Sequence, residues 1–127
     1  MTVHKLTPSQ LRRIDEIHQF MRSVEHVKKL VDELESSRAA RPVIINNLCG
    51  AIARELSQMR QRALSANTGT LADVAGGLAV LAARQGSGLA FKIRALLEGV
   101  NSLTMQLEQS LKAASQLEQA TPDQKPT

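Results

Sequence analysis

Residues 11–34 read LRRIDEIHQFMRSVEHVKKLVDEL, and Ile17, Phe20, Val24, Val27, Val31 and Leu34 recur through them at alternating intervals of three and four. That spacing keeps all six side chains on one stripe of an α-helix, the seam with which a helix packs against a partner. Between them stand Arg12, Asp15, His18, Arg22, Glu25, His26, Lys29, Asp32 and Glu33. Their mixed signs read as a solvated outer face. Just upstream, Thr7-Pro8-Ser9-Gln10 supplies a capping hydroxyl, proline at the first helical position and glutamine three residues after the cap. This is a complete capping box, so a first helix is predicted to run to about Arg38.

The same reading extends along the chain. Ser36 to Arg41 loosens the pattern, and Pro42 suits the first turn of a second helix ending near Ser65. Its apolar face holds Ile45, Leu48, Ile52, Leu56, Met59 and Ala63, with Cys49 beside it. Ala66-Asn67-Thr68-Gly69 closes that helix, and Thr70 with Asp73 opens a short third one, about Leu71 to Gln85. Leu71, Val74, Leu78 and Leu81 form its stripe, and its alanines and glycines leave much of the remaining surface bare. Gly76-Gly77 inside a helix costs on the order of 1 kcal/mol per glycine relative to alanine, which calls for close packing or a bend in compensation. After Gly86-Ser87-Gly88, a fourth helix from Leu89 to Leu117 returns to a seam of Ile93, Leu96, Val100, Leu103, Leu107, Ala114 and Leu117, widened by Leu97 and Leu111. Residues 119–127 hold two prolines and no apolar period, and are expected to be a disordered tail.

Composition agrees with helix and bounds the function. The 127 residues include no Trp or Tyr and only Phe20 and Phe91 as aromatics. A chain of this length buries roughly two thirds of its unfolded surface without help from metals or disulfides. The single cysteine cannot form an internal disulfide, and no apolar leader with a small-residue cleavage site follows the polar start, so a cytoplasmic, reducing setting is expected. No apolar run reaches the ~20 residues of a membrane span. Net charge is +4, with eleven Lys or Arg against seven Asp or Glu in residues 1–65 and five against five thereafter. An excess of this size permits an acidic partner, although the acids are interleaved with the bases.

Few residues carry chemistry at an informative spacing. His26-Val27-Lys28-Lys29 resembles part of the motif of histidine phosphotransfer domains, in which an exposed helical histidine carries a phosphoryl group beside a lysine. The likeness covers four residues, with Leu30 where that motif has glycine, and implies His26 as phosphoacceptor and Lys29 as its charge partner. Asp15 and His18 have half the carboxylate–histidine spacing of metal-binding bundles, but no second copy exists to complete a site. Cys49 reads as a buried structural thiol. Gly86-Ser87-Gly88 lacks the lysine that a phosphate loop places directly after its second glycine, since Leu89 stands there. Arg12, Arg13, Arg54, Arg60 and Arg62 would suit phosphate contacts if they lined one side of the first two helices, and the lack of aromatics argues against base stacking.

These readings predict an all-α, up-and-down antiparallel four-helix bundle over residues 1–118, with long first and last helices and a short third. The short third helix is expected to leave part of the long seams uncovered. The expected function is a non-catalytic adaptor or regulatory module without a cofactor, self-associating as a homodimer or binding another protein. The surface assigned to that contact comprises Ile17, Phe20, Val24, Val27, Val31, Leu34, Leu97 and Leu111. A small nucleic-acid-associated subunit and a phosphotransfer carrier using His26 and Lys29 are the alternatives.

Overall fold

A computed structural model describes residues 6–66, 69–84 and 88–116. Four helices follow in order: α1 Pro8–Ser36, α2 Pro42–Ser65, α3 Gly69–Ala83 and α4 Leu89–Ala114. The capping box forms as read: Gln10 N–H donates to Thr7 Oγ1 at 3.1 Å, and Thr7 N–H donates to Gln10 Oε1 at 2.8 Å. α1 stops at Ser36 rather than Arg38, where the Ser37 N–H turns back to the carbonyls of Glu33 and Leu34. α2 has the predicted bounds, with Pro42 in its first turn. α3 begins at Gly69 and ends at Ala83, earlier at both ends than read, which puts Thr70 inside its first turn instead of at its cap. Leu117 and the tail 119–127 lie outside the described residues.

Each helix packs on its neighbours in sequence, and α4 closes the square on α1; among the described residues the backbones of the diagonal pairs stay apart, while the Lys92 side chain of α4 reaches Cys49 of α2. This is the up-and-down antiparallel bundle with a short third helix, and among the described residues no strand accompanies it. The α1–α4 closure is marked at one end by Gln10 Nε2 donating to the Gln116 carbonyl at 2.7 Å.

The seam of α1 corrects one expectation. Ile17, Phe20, Val24, Val27, Val31 and Leu34 are all buried within the chain itself, so they are not an uncovered strip. The reason is topological. In a square of four helices α1 is flanked by α2 and α4, whose 24 and 26 residues cover it, and the length of the diagonal α3 is immaterial to that seam. Leu97 and Leu111 remain half-buried at the edge of the core. Leu11 in the first turn of α1, and Val43 and Ile44 in the first turn of α2, are exposed.

Two small-residue positions set how closely α3 approaches. Leu78 lies on Gly99 of α4, and a Cβ built at Gly99 would overlap both Leu78 methyl groups. Across α2, the Arg60 side chain lies over Gly76. Gly77 faces open space. The close packing anticipated for the glycine pair is therefore carried by Gly76 alone.

α3 ends beside the start of α4, and the buried Lys92 receives that end. Its Nζ donates to the carbonyls of Arg84 at 2.7 Å and Ala82 at 3.3 Å, with Cys49 Sγ 4.0 Å away. Last-turn carbonyls have no partner within their own helix, and this lysine is placed to take two of them in α3.

Three substitutions test this account by urea midpoints. Gly99→Ala destabilises by about 1–3 kcal/mol because overpacking against a buried leucine outweighs the gain in helix propensity. Gly77→Ala stabilises by about 0.5–1 kcal/mol, having the propensity gain and no clash. Lys92→Met costs about 1–3 kcal/mol by leaving buried carbonyls without their donor, with amide exchange at the end of α3 accelerating first.

Candidate functional sites

Among the described residues, no group of three or more His, Cys, Asp or Glu side chains comes together in a metal-holding arrangement. Asp15 and His18 both point to solvent, and Asp15 Oδ2 accepts from Gln19 Nε2 at 3.4 Å. Cys49 is free and buried beneath Lys92. Gly88 serves as the N-cap of α4, with its carbonyl accepting from the Lys92 N–H at 3.0 Å. The two residues before it lie outside the described set. No helix among the described residues is long and apolar enough to cross a membrane.

The arginines do not share a side. Arg62 turns toward α1, where its guanidinium donates to Ser23 Oγ at 2.5 Å and sits 5.6 Å from the centre of the Phe20 ring. Arg60 turns the other way, over Gly76 of α3. Arg54 is exposed one turn from Gly50, and Arg13 is held by Glu16 at 3.2 Å. Successive helical positions are about 100° apart, so residues 60 and 62 cannot face one groove. The stripe of phosphate contacts envisaged from the sequence is thereby dispersed over several faces.

His26 behaves differently. Its side chain is 57% exposed, and Nδ1 lies 3.2 Å from Oε1 of Glu55, a residue of α2 whose side chain is only 21% exposed. An ionised carboxylate can only accept a hydrogen bond, so in this contact Nδ1 is the donor. Arg22, one turn before His26, and Lys29, almost one turn after it, are both exposed on the outer side of α1. Glu55 was not evident as a partner from the sequence, although it is the only acidic residue in α2.

A second feature is a groove at the end of the bundle where α2 stops and α3 begins. Ser65 and Ala66 are level with Glu16 and Gln19, and Thr70 and Leu71 are level with Ile17 and Leu107. Past that level, among the described residues, only α1 and α4 continue. Between them lies a hollow of about 550 Å³ with a floor of Ile17, Phe20, Leu71 and Leu107 and with Arg13 and Gln106 on its rim. Its lining includes one cation and no acid. The α1–α2 side holds a more polar hollow of about 620 Å³, walled by Gln19, Gln58, Gln61 and the engaged Arg62.

No family model, curated protein or solved structure matches the chain.

The split roles of the arginines are measurable. Arg62→Ala removes both the ring contact and the partner of the buried Ser23 hydroxyl, and lowers stability by about 1–2 kcal/mol. Arg54→Ala, at an exposed position, stays within about 0.5 kcal/mol of the parent. Equal effects in denaturant titration would contradict the assignment.

Proposed function

We propose that this chain is a non-catalytic interaction module that holds an acidic, amphipathic helical segment of a partner protein in the groove between α1 and α4. The observation that carries the reading is the groove itself, with its floor of nearly covered apolar side chains and Arg13, paired with Glu16 at 3.2 Å, on its rim. A helix laid in such a groove presents apolar anchors every three or four residues. Acidic flanks on that helix complement the positive excess of residues 1–65. A cytoplasmic setting suits the module, since Cys49 has no disulfide partner in the chain.

The competing occupant of the same groove is a second copy of the chain, as the length of the seams first suggested. Against it stands the net charge of +4, which sets like charge against like when two copies meet.

The test uses the isotopically labelled protein and two synthetic helical peptides, each with leucines at i, i+4 and i+7, one flanked by glutamates and one by lysines. Shifts at Arg13, Thr70, Leu107 and Ser110 are expected with the glutamate peptide, and Arg13→Glu weakens it by about fivefold, near 1 kcal/mol. Equal response to both peptides, or shifts centred on the outer face of α2, overturns the reading. So does a dimer in sedimentation at micromolar concentration whose contacts map to the groove, because the occupant is then a second copy. Binding to duplex DNA that falls steeply with salt would favour the nucleic-acid alternative instead.

A further inference from the structure

We infer that the outer face of α4 is a contact surface for a second copy of the chain, laid antiparallel across it with the two-fold axis at Asn101. The inference does not rest on what the α1–α4 groove holds.

Two rows of exposed side chains run down that face with a period of seven: Phe91, Glu98, Met105 and Lys112 in one, and Arg94, Asn101 and Glu108 in the other. A repeat of seven drifts only about 20° per step around a helix, so each row keeps to one side. The first row extends roughly 32 Å at 1.5 Å per residue. The buried seam of α4 from Ile93 to Leu107 lies on the opposite side. Phe91 and Met105 are 60% and 59% exposed. Isolated apolar side chains are common on protein surfaces, and these two gain meaning from the order of the residues around them.

Reversing the direction of the helix about Asn101 sets Arg94 against Glu108, Phe91 against Lys112, Glu98 against Met105, and Asn101 against itself. Each cation then meets an anion or the face of an aromatic ring. A parallel copy does the opposite, setting Arg94 on Arg94 and Glu108 on Glu108. A helix of an unrelated partner has no reason to carry this order, whereas a second copy always does, and a two-fold contact uses each pair twice. Asn101 at the axis can exchange amide hydrogen bonds with its own copy, and one polar residue at such a point fixes register and orientation in paired helices.

The charges are also unengaged. Among the described residues Arg94, Glu98, Glu108 and Lys112 take part in no ion pair, the ion pairs there being those of Arg13, His26 and Lys28. The net charge of +4 opposes the approach of two chains at large, but the two rows hold two cations and two anions and sum to zero. A contact confined to one helix pair belongs to the weak class, under roughly 1,200 Å². Association is therefore expected between micromolar and millimolar concentration.

The test is sedimentation equilibrium of the intact chain across that range. A monomer–dimer equilibrium that weakens with added salt is expected. Arg94→Glu sets acid on acid at both ends of the contact, Glu108→Arg sets base on base, and each weakens the dimer about tenfold. Combining the two in one chain restores the parent's affinity. Within a chain the two residues are roughly 21 Å apart along the helix, so only a contact between copies gives that rescue. The positions are exposed, and helicity by circular dichroism is expected to be unchanged. Oxidation reads the direction: Asn101→Cys closes a disulfide between copies, and Lys112→Cys, with its two copies on the order of 30 Å apart in this register, does not. A monomer at millimolar concentration, a dimer indifferent to Arg94→Glu, or a double variant as weak as the single ones overturns the inference. So does cross-linking through Lys112→Cys, which a parallel pair would give. The peptide titration of the groove reads Arg13, Thr70, Leu107 and Ser110, none of them in either row, so the two readings fail separately.

Discussion

Where α3 ends, the ammonium of Lys92, in the first turn of α4, donates to the buried Ala82 carbonyl and to the Arg84 carbonyl just past the helix. A long side chain suits this task because its methylene stem packs in the core while its head reaches polar atoms. With the α3 terminus satisfied, a helix of 15 residues can stand beside neighbours of 24 and 26 without an orphaned end. At its other end α3 starts level with Ile17 and Leu107, so α1 and α4 proceed alone. The groove is thus a product of the length of α3, and that length is tolerated because of one buried cation.

The bundle separates two kinds of surface. On the α1–α4 side, a hollow opens over Ile17, Phe20, Leu71 and Leu107 at the end of the core. On the α1–α2 side, polar side chains meet across the helices: Ser23 with Arg62, and His26 with Glu55. The first of these pairs is half-buried and ties the helices together. The second is more exposed, with over half of the His26 side chain in solvent.

Helix positions were legible because local chemistry marks them. Thr7 and Gln10 cap α1, Pro42 opens α2, and the stripes from Ile17 to Leu34 and from Ile93 to Leu107 name buried residues of the core. The bounds of α3 were less legible, since Thr70 resembles a cap yet lies within the first turn. Whether the α1 seam was covered required knowing which helices stand beside it, a property of the assembled square and of no single stretch. The His26–Glu55 pair depends on the rotation and stagger of two helices, which periodicity does not specify. Lys92 did leave a trace: it falls on the same side of α4 as Leu96, Gly99 and Leu103, the side that faces inward. A lysine on that stripe signals a buried acceptor nearby.

The hydrogen bond from Gln10 to Gln116 has a consequence for how the bundle fits into larger architecture. The backbone enters α1 and leaves α4 at neighbouring points, so the fold is a closed excursion that returns to where it started. Such a unit can interrupt a surface loop of a host protein, or be strung between other modules, without holding the flanking segments apart. Whatever adjoins it would meet the bundle at the overhanging end, beside the groove, and attachment and recognition would share one address on the molecule.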